Sequence, residues 1–113
     1  MVSSSSRLRL SKILLDTGAL HSSYIAKSVV DKYRKQMQSR IRQVRGVVKL
    51  GDNKTNVSVS ERVTLPVELV DWKGKQYTAM LDLCVWDMND GLDMIIGLPD
   101  ILASYLEFMV DIL

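Results

Sequence analysis

Hydrophobic and polar residues alternate with a period of two along much of the chain, and this pattern predicts a mainly β protein. The clearest alternations run from Val63 to Leu69 and from Tyr77 to Trp86. Two further apolar runs, 47–50 and 57–59, flank the turn-forming sequence 51–54. Two strand-like runs around a Gly/Asp/Asn turn predict a β-hairpin.

Shorter patterns predict the remaining elements. One stretch has apolar residues at near-helical spacing, which predicts a helix from about Ala26 to Gln36. Pro66 cannot donate a hydrogen bond to a sheet ladder, so its strand is expected at a sheet edge or a bulge. The other predicted elements are strands at Leu8–Leu15, Ser22–Ile25, Met94–Ile96 and Leu106–Leu113, and a brief helix at about Asp100–Tyr105.

Length and composition fit one small globular domain. The chain has 113 residues, of which 47% are hydrophobic and 25% charged. We expect residues 1–7 to be a flexible leader and residues 8–113 to form the domain. No apolar run approaches the roughly 18 residues of a membrane span. Cys84 is the single cysteine and His21 the single histidine, which excludes an intrachain disulfide and argues against a structural zinc site.

The charge balance gives only a weak indication of partners. The formal net charge is +2, which is too mild to predict a nucleic-acid partner by itself. A basic stretch between Lys32 and Arg45 is typical of the solvated face of a helix and its exit, and RNA binding is the alternative interpretation.

The strongest candidate for chemistry is Asp16-Thr17-Gly18-Ala19, directly after the apolar run Ile13-Leu14-Leu15. A carboxylate that follows a buried strand and enters a tight turn is poorly solvated, which suits acid and base chemistry. The alternative is that Asp16 caps a turn and that Thr17 and Gly18 are turn formers. A single copy of this element could supply only one carboxylate per chain.

Two segments together resemble the retropepsin family, the retroviral-type aspartic proteases, and most closely the LTR-retrotransposon proteases. The first is 13–19 followed by Ser22-Ser23-Tyr24-Ile25, and the second is 94–102, with an apolar pair, Gly97 and a short helix. The predicted hairpin lies between them, where the family has its flap. The residue after Gly97 is Leu98, where retroviral members commonly have an arginine that stabilises the dimer.

The resemblance implies a fold and an activity. The fold would be an all-β, retropepsin-like, closed single-lobe domain with one or two short helices, working as a two-fold homodimer. The activity would be an aspartic endopeptidase that processes its own polyprotein, with Asp16 of each subunit sharing a water and a proton. The implied setting is the cytoplasm or a virus-like particle.

The resemblance also implies roles for individual residues. Thr17 would bond across the dimer axis, and Gly18 would turn the backbone and accept a hydrogen bond from the substrate. The expected substrate-binding residues are Gly18, Ala19, Gly51, Asp52, Asn53 and Ile95. Core packing is the alternative for Ile95 and its neighbour Met94.

The resemblance implies no metal and no organic cofactor. The expected partners are a second copy of the chain and an extended polypeptide, without a membrane. The competing hypothesis is a catalytically inactive retropepsin-like module for dimerisation or peptide binding.

Overall fold

A computed structural model describes residues 8–49, 56–88 and 91–112, and these residues build one six-stranded mixed sheet. The strands follow the spatial order β1-β6-β2-β5-β4-β3. They are β1 (Ile13–Asp16), β2 (Ser23–Ala26), β3 (Ile41–Lys49), β4 (Asn56–Val70), β5 (Gln76–Trp86) and β6 (Met94–Gly97).

The two ends of the chain meet in the sheet. Strand β1 pairs in parallel with β6, so that Asp16 lies opposite Gly97. Strand β2 pairs antiparallel with β6 and parallel with β5. The two segments that suggested a family are therefore adjacent in space, although about eighty residues separate them in sequence.

Strand β1 is shorter and more exposed than the sequence predicts. It begins at Ile13 rather than Leu8, and it is an edge strand with pairing to β6 alone among the described strands. Leu14 leaves 42% of its surface exposed. The expectation of a buried strand before Asp16 was therefore wrong, because β1 has a neighbouring strand on one side only and Leu14 stays exposed.

The long strand β4 confirms the predicted hairpin. Its first part pairs antiparallel with β3 and its last part with β5, from Arg62↔Cys84 to Val70↔Gln76. The β3 pairing ends at Ile41↔Val63, so Pro66 lies where β4 pairs with β5 alone among the described strands. The predicted edge position of Pro66 is confirmed. The hairpin turn itself, at 51–54, lies outside the described residues.

The predicted first helix is confirmed in position and is interrupted once. Helices α1 (Lys27–Lys32) and α2 (Arg34–Met37) are separated by Tyr33, whose φ of −114° is not helical. Arg34 ties this region to β4 through Glu61, with a nitrogen-to-oxygen distance of 3.0 Å. The arginine guanidinium lowers the pKa of Glu61 through this hydrogen bond.

The C-terminal segment is helical, so the strand predicted at Leu106–Leu113 was wrong. Helix α3 (Leu98–Asp100) continues through a π-helical segment (Ile101–Tyr105) into α4 (Leu106–Ile112). Buried Ile101 and Tyr105 face the sheet, and the Tyr105 hydroxyl donates to the Val67 carbonyl at 2.7 Å. The short helix predicted at Asp100–Tyr105 is thus the middle of a longer one.

The helices cover one face of the sheet and form the main core there. Its buried members include Val30, Val63, Leu81, Ile96 and Tyr105. The overall result is a mostly β domain with a few short helices, as predicted. In the part of the chain that the structure describes, β1 and β3 are open edges of the sheet, rather than neighbours in a closed one. None of the described helices is long and apolar enough to span a membrane.

Candidate functional site

Asp16 lies at the carboxyl end of β1, where the chain enters a tight turn. Its Oδ1 accepts a hydrogen bond from the Gly18 amide at 2.8 Å, and its carbonyl accepts one from the Ala19 amide at 3.1 Å. The carboxyl group is half-buried, while Thr17 and Gly18 are exposed. The first bond fixes the direction of the carboxylate, because an aspartate that binds the amide two residues ahead has little rotational freedom.

Gly97 holds this turn against the start of the C-terminal helix. A Cβ at this position would lie 2.1 Å from the Ser22 carbonyl oxygen and 2.9 Å from that of Ala19. The adjacent Leu98 amide donates to the Ala19 carbonyl at 2.8 Å. Only glycine allows this approach, so the pairing of Asp16 with Gly97 depends on a missing side chain.

A buried polar clamp, formed by Ser23 and Asp100, lies beneath the turn. The Ser23 hydroxyl donates to Asp100 Oδ2 and accepts from the Gly97 amide at 2.9 Å. Ser23 is 1% exposed, and its bond with the Gly97 amide forms away from bulk water, where it is stronger than on the surface, while its bond with Asp100 is part-buried. The clamp joins β2, β6 and the C-terminal helix immediately behind Asp16.

Sequence reasoning missed this clamp. The sequence predicts Ser23 within the strand Ser22–Ile25 and Asp100 at the start of a brief helix, and it indicates no contact between them. The available signal was weak: a serine within a short apolar strand, and an aspartate three residues after a glycine. Neither feature identifies its partner 77 residues away.

A second, smaller apolar cluster lies on the sheet face opposite the main core. Buried Ala19, Tyr24 and Cys84 form its centre. The rings of Tyr24 and Trp86 are 5.5 Å apart at a tilt of 56°. Partly buried residues complete it, and these are Val44, Trp86, Met88 and Ile95. We call this cluster of seven residues the apolar floor, and it adjoins the Asp16 turn through Ala19.

Burial in the apolar floor disfavours the ionised forms of two of its side chains. Burial raises the pKa of the Tyr24 phenol and of the Cys84 thiol. The nearby Arg62 guanidinium opposes both shifts, because a positive charge favours the ionised forms. Cys84 is thus a buried core residue whose thiolate form is disfavoured.

An arginine cluster borders the floor on its far side. Arg42 and Arg62 both bind Asp82, with nitrogen-to-oxygen distances of 2.6 and 3.2 Å. Arg40 lies close by, because its guanidinium donates to the carbonyl oxygen of Thr64 at 3.4 Å, and Thr64 pairs with Asp82 across β4 and β5. The sequence analysis places Arg40 and Arg42 in a basic stretch, with a solvated face or RNA binding as its interpretations, and does not predict their contacts with Asp82 and Thr64.

The structure brings some of the predicted site residues together. Asp16, Thr17, Gly18 and Ala19 form the turn, and Ile95 lies on the apolar floor beside Tyr24. Met94 belongs to the main core instead, so its alternative interpretation is correct. Gly51, Asp52 and Asn53 lie outside the described residues. Among the described side chains, no three His, Cys, Asp or Glu are grouped to hold a metal ion.

Comparison of the chain with protein-family models, with curated proteins and with solved structures gave no match.

Proposed function

We propose that the chain is a retropepsin-type aspartic endopeptidase, active as a homodimer with one Asp16 from each subunit. The observation that carries the proposal is the Asp16 turn, whose carboxylate is oriented by the Gly18 amide and held beside Gly97. The partly exposed rim of the apolar floor, which includes Ile95 and Trp86, offers a surface for the side chains of an extended peptide.

The proposed chemistry requires two carboxylates. One Asp16 is ionised and takes a proton from a water molecule, while its counterpart is protonated and polarises the scissile carbonyl. Two carboxylates a few ångström apart cannot both ionise readily, so they share one proton. Each chain supplies one such aspartate, and the two-fold axis therefore passes between the two turns.

Exposed apolar residues beside the turn support an assembly at this place. Leu14 and Leu20, which flank Asp16 in sequence, are 42% and 43% exposed. Burial of such side chains against a second copy is favourable. In the proposed dimer, the exposed Thr17 hydroxyl bonds across the axis to the turn of the other subunit.

The substrate would be an extended polypeptide between the sheet and the β3–β4 hairpin. The Gly18 carbonyl would accept a hydrogen bond from the peptide backbone. Ala19 and Ile95 would contact side chains beside the scissile bond, which favours apolar residues there. The natural substrate would be the polyprotein that contains this domain.

The test is cleavage of peptides by the purified chain and by its Asp16→Asn variant. We expect the variant to lose cleavage by at least about a thousandfold, because the amide cannot act as a base. Asp31→Asn is the matched control, since Asp31 is an exposed carboxylate on helix α1 that pairs with Lys27 of α1 and Arg34 of α2. A transition-state mimic with a hydroxyl between two peptide-like arms should bind tightly.

Two results would overturn the proposal. Undiminished cleavage by Asp16→Asn would remove Asp16 from the chemistry. An intact dimer that binds extended peptides but cleaves none of them would favour the competing hypothesis of an inactive peptide-binding module.

A further inference from the structure

A single row of register-paired residues crosses all six strands on the face that carries the apolar floor. Residues paired across adjacent strands present their side chains to the same face of a sheet. From β1 to β3, the row consists of Leu14, Ile95, Tyr24, Cys84, Arg62 and Arg42. The row is apolar over its first four strands and ends in two arginines.

Asp16 belongs to the neighbouring row of the same face. It follows Leu14 by two residues, so both side chains point to one side of the strand. Asp16 pairs with Gly97 of β6, and Asp82 directly precedes Leu83, which pairs with Ser23 of β2, the strand next to β6. Asp82 therefore lies three strands from Asp16, which is about 14 Å along the sheet at roughly 4.8 Å per strand.

The arginine cluster at this place carries excess positive charge. We define it as Arg40, Arg42, Arg62 and Asp82, which together have a formal charge of +2. Asp82 binds two of the three guanidinium groups, and Arg42 still exposes 53% of its side chain. An arginine fork can bind a second carboxylate in addition, since it has five N–H donors.

We propose that the arginine cluster is a specificity subsite for a carboxylate side chain of the substrate, about four residues from the scissile bond. This inference rests on the proposed peptidase function and deepens it. An extended peptide advances roughly 3.3 Å per residue, so the 14 Å between Asp16 and Asp82 corresponds to about four residues. The intervening substrate residues lie beside Ile95 and Trp86, the partly exposed members of the floor, where apolar side chains fit.

The position of the cluster favours a peptide over a nucleic acid. The positive charge continues an apolar floor that starts at the Asp16 turn, and a phosphate backbone would gain nothing from that floor. Asp82 already binds two of the arginines, which leaves the cluster few free donors for a run of phosphates. One correctly placed substrate carboxylate needs only the donors that remain on Arg42 and Arg62.

The experiment uses matched peptides that differ only in Glu or Gln, placed two to six residues from the scissile bond on either side. With the full chain, we expect Glu at about four residues to raise kcat/KM by roughly 1.5-fold to fivefold, the range of partly exposed ion pairs. The advantage should shrink in about 1 M salt, where the Debye length is about 3 Å.

Charge variants locate the effect. Arg42→Gln and Arg62→Gln should each reduce the Glu preference, and Asp82→Asn should increase it because a competing carboxylate is removed. Lys73→Gln is the matched control, since Lys73 is an exposed cation at the β4–β5 turn over Trp72. Arg42 is half exposed, so its variant remains informative if Arg62→Gln proves poorly folded.

Binding of the same peptides to the Asp16→Asn variant, followed by fluorescence anisotropy, separates the two proposals. Equal cleavage of Glu and Gln peptides would overturn the subsite and leave the peptidase intact. Glu-selective binding without any cleavage by the unmodified chain would support the subsite and overturn the peptidase. Displacement of the acidic peptide by a single-stranded RNA at lower concentration than by unlabelled peptide would overturn the subsite in favour of nucleic-acid binding.

Discussion

At the scale of single residues, the least replaceable position is Gly97, which carries no functional group. We expect Gly97→Ala to destabilise the fold by about 3 kcal/mol, because its Cβ would meet two backbone oxygens that no rotamer change can move. The turn that holds Asp16 should be displaced with it, so peptide cleavage should also fall. The urea midpoint and kcat/KM report the two effects separately.

Gly46→Ala is the matched control for this change. A Cβ at Gly46 meets nothing within 4 Å, and its β3 backbone accepts an ordinary residue. The free energy of unfolding of this variant, obtained from urea unfolding, should differ from that of the unmodified chain by no more than a surface substitution causes, about 0.5 kcal/mol. Equal stability of the two variants would show that Ser22 and Ala19 do not approach Gly97 as closely as described.

The sequence predicts the Asp16 turn but not the contacts that support it. Asp16, Thr17 and Gly18 are informative because a turn is a local structure and its residues are neighbours in sequence. The Ser23–Asp100 clamp and the arginine cluster depend on strand register, which brings distant residues together. A lone serine or arginine in a sequence carries no mark of such a partner.

At the scale of elements, the C-terminal helix shows how two periodicities can compete. Leu106, Phe108, Val110 and Ile112 alternate and predict a strand, yet the segment is helical. Helical spacing is present as well, since Ile101, Tyr105, Phe108 and Met109 pack on the core at intervals of three and four. The packing of these four side chains on the core favours the helical pattern over the alternating one.

The helical structure predicts a large loss of stability for a substitution at Met109 and a small one at the neighbouring Val110. In the helix, Met109 packs against the core and Val110 is 62% exposed. Met109→Lys should therefore lower the free energy of unfolding by about 1–3 kcal/mol, while Val110→Lys should change it by less than about 0.5 kcal/mol. Urea unfolding of both variants measures this. A larger loss of stability for Val110→Lys than for Met109→Lys would favour a strand at this segment instead.

At the scale of the whole molecule, the sheet has distinct chemistry at its two edges on the floor side. Asp16 ends the β1 edge, and the arginine cluster lies near the β3 edge, with the apolar floor between them. The sequence predicts most of these strands, because each is a local pattern. It does not predict their order, which depends on parallel pairings between residues about 60 to 80 positions apart.

The proposed dimer is tested by mixing unmodified and Asp16→Asn subunits at constant total concentration. If both carboxylates belong to one site, only dimers of two unmodified chains cleave, and equal mixing leaves roughly one quarter of the activity. If each chain works alone, roughly one half remains. Mixing with Asp31→Asn chains should leave full activity, and sedimentation at two concentrations confirms that subunits dimerise and exchange. A linear decline with the variant fraction, in subunits shown to exchange, would refute a site shared between two copies of Asp16.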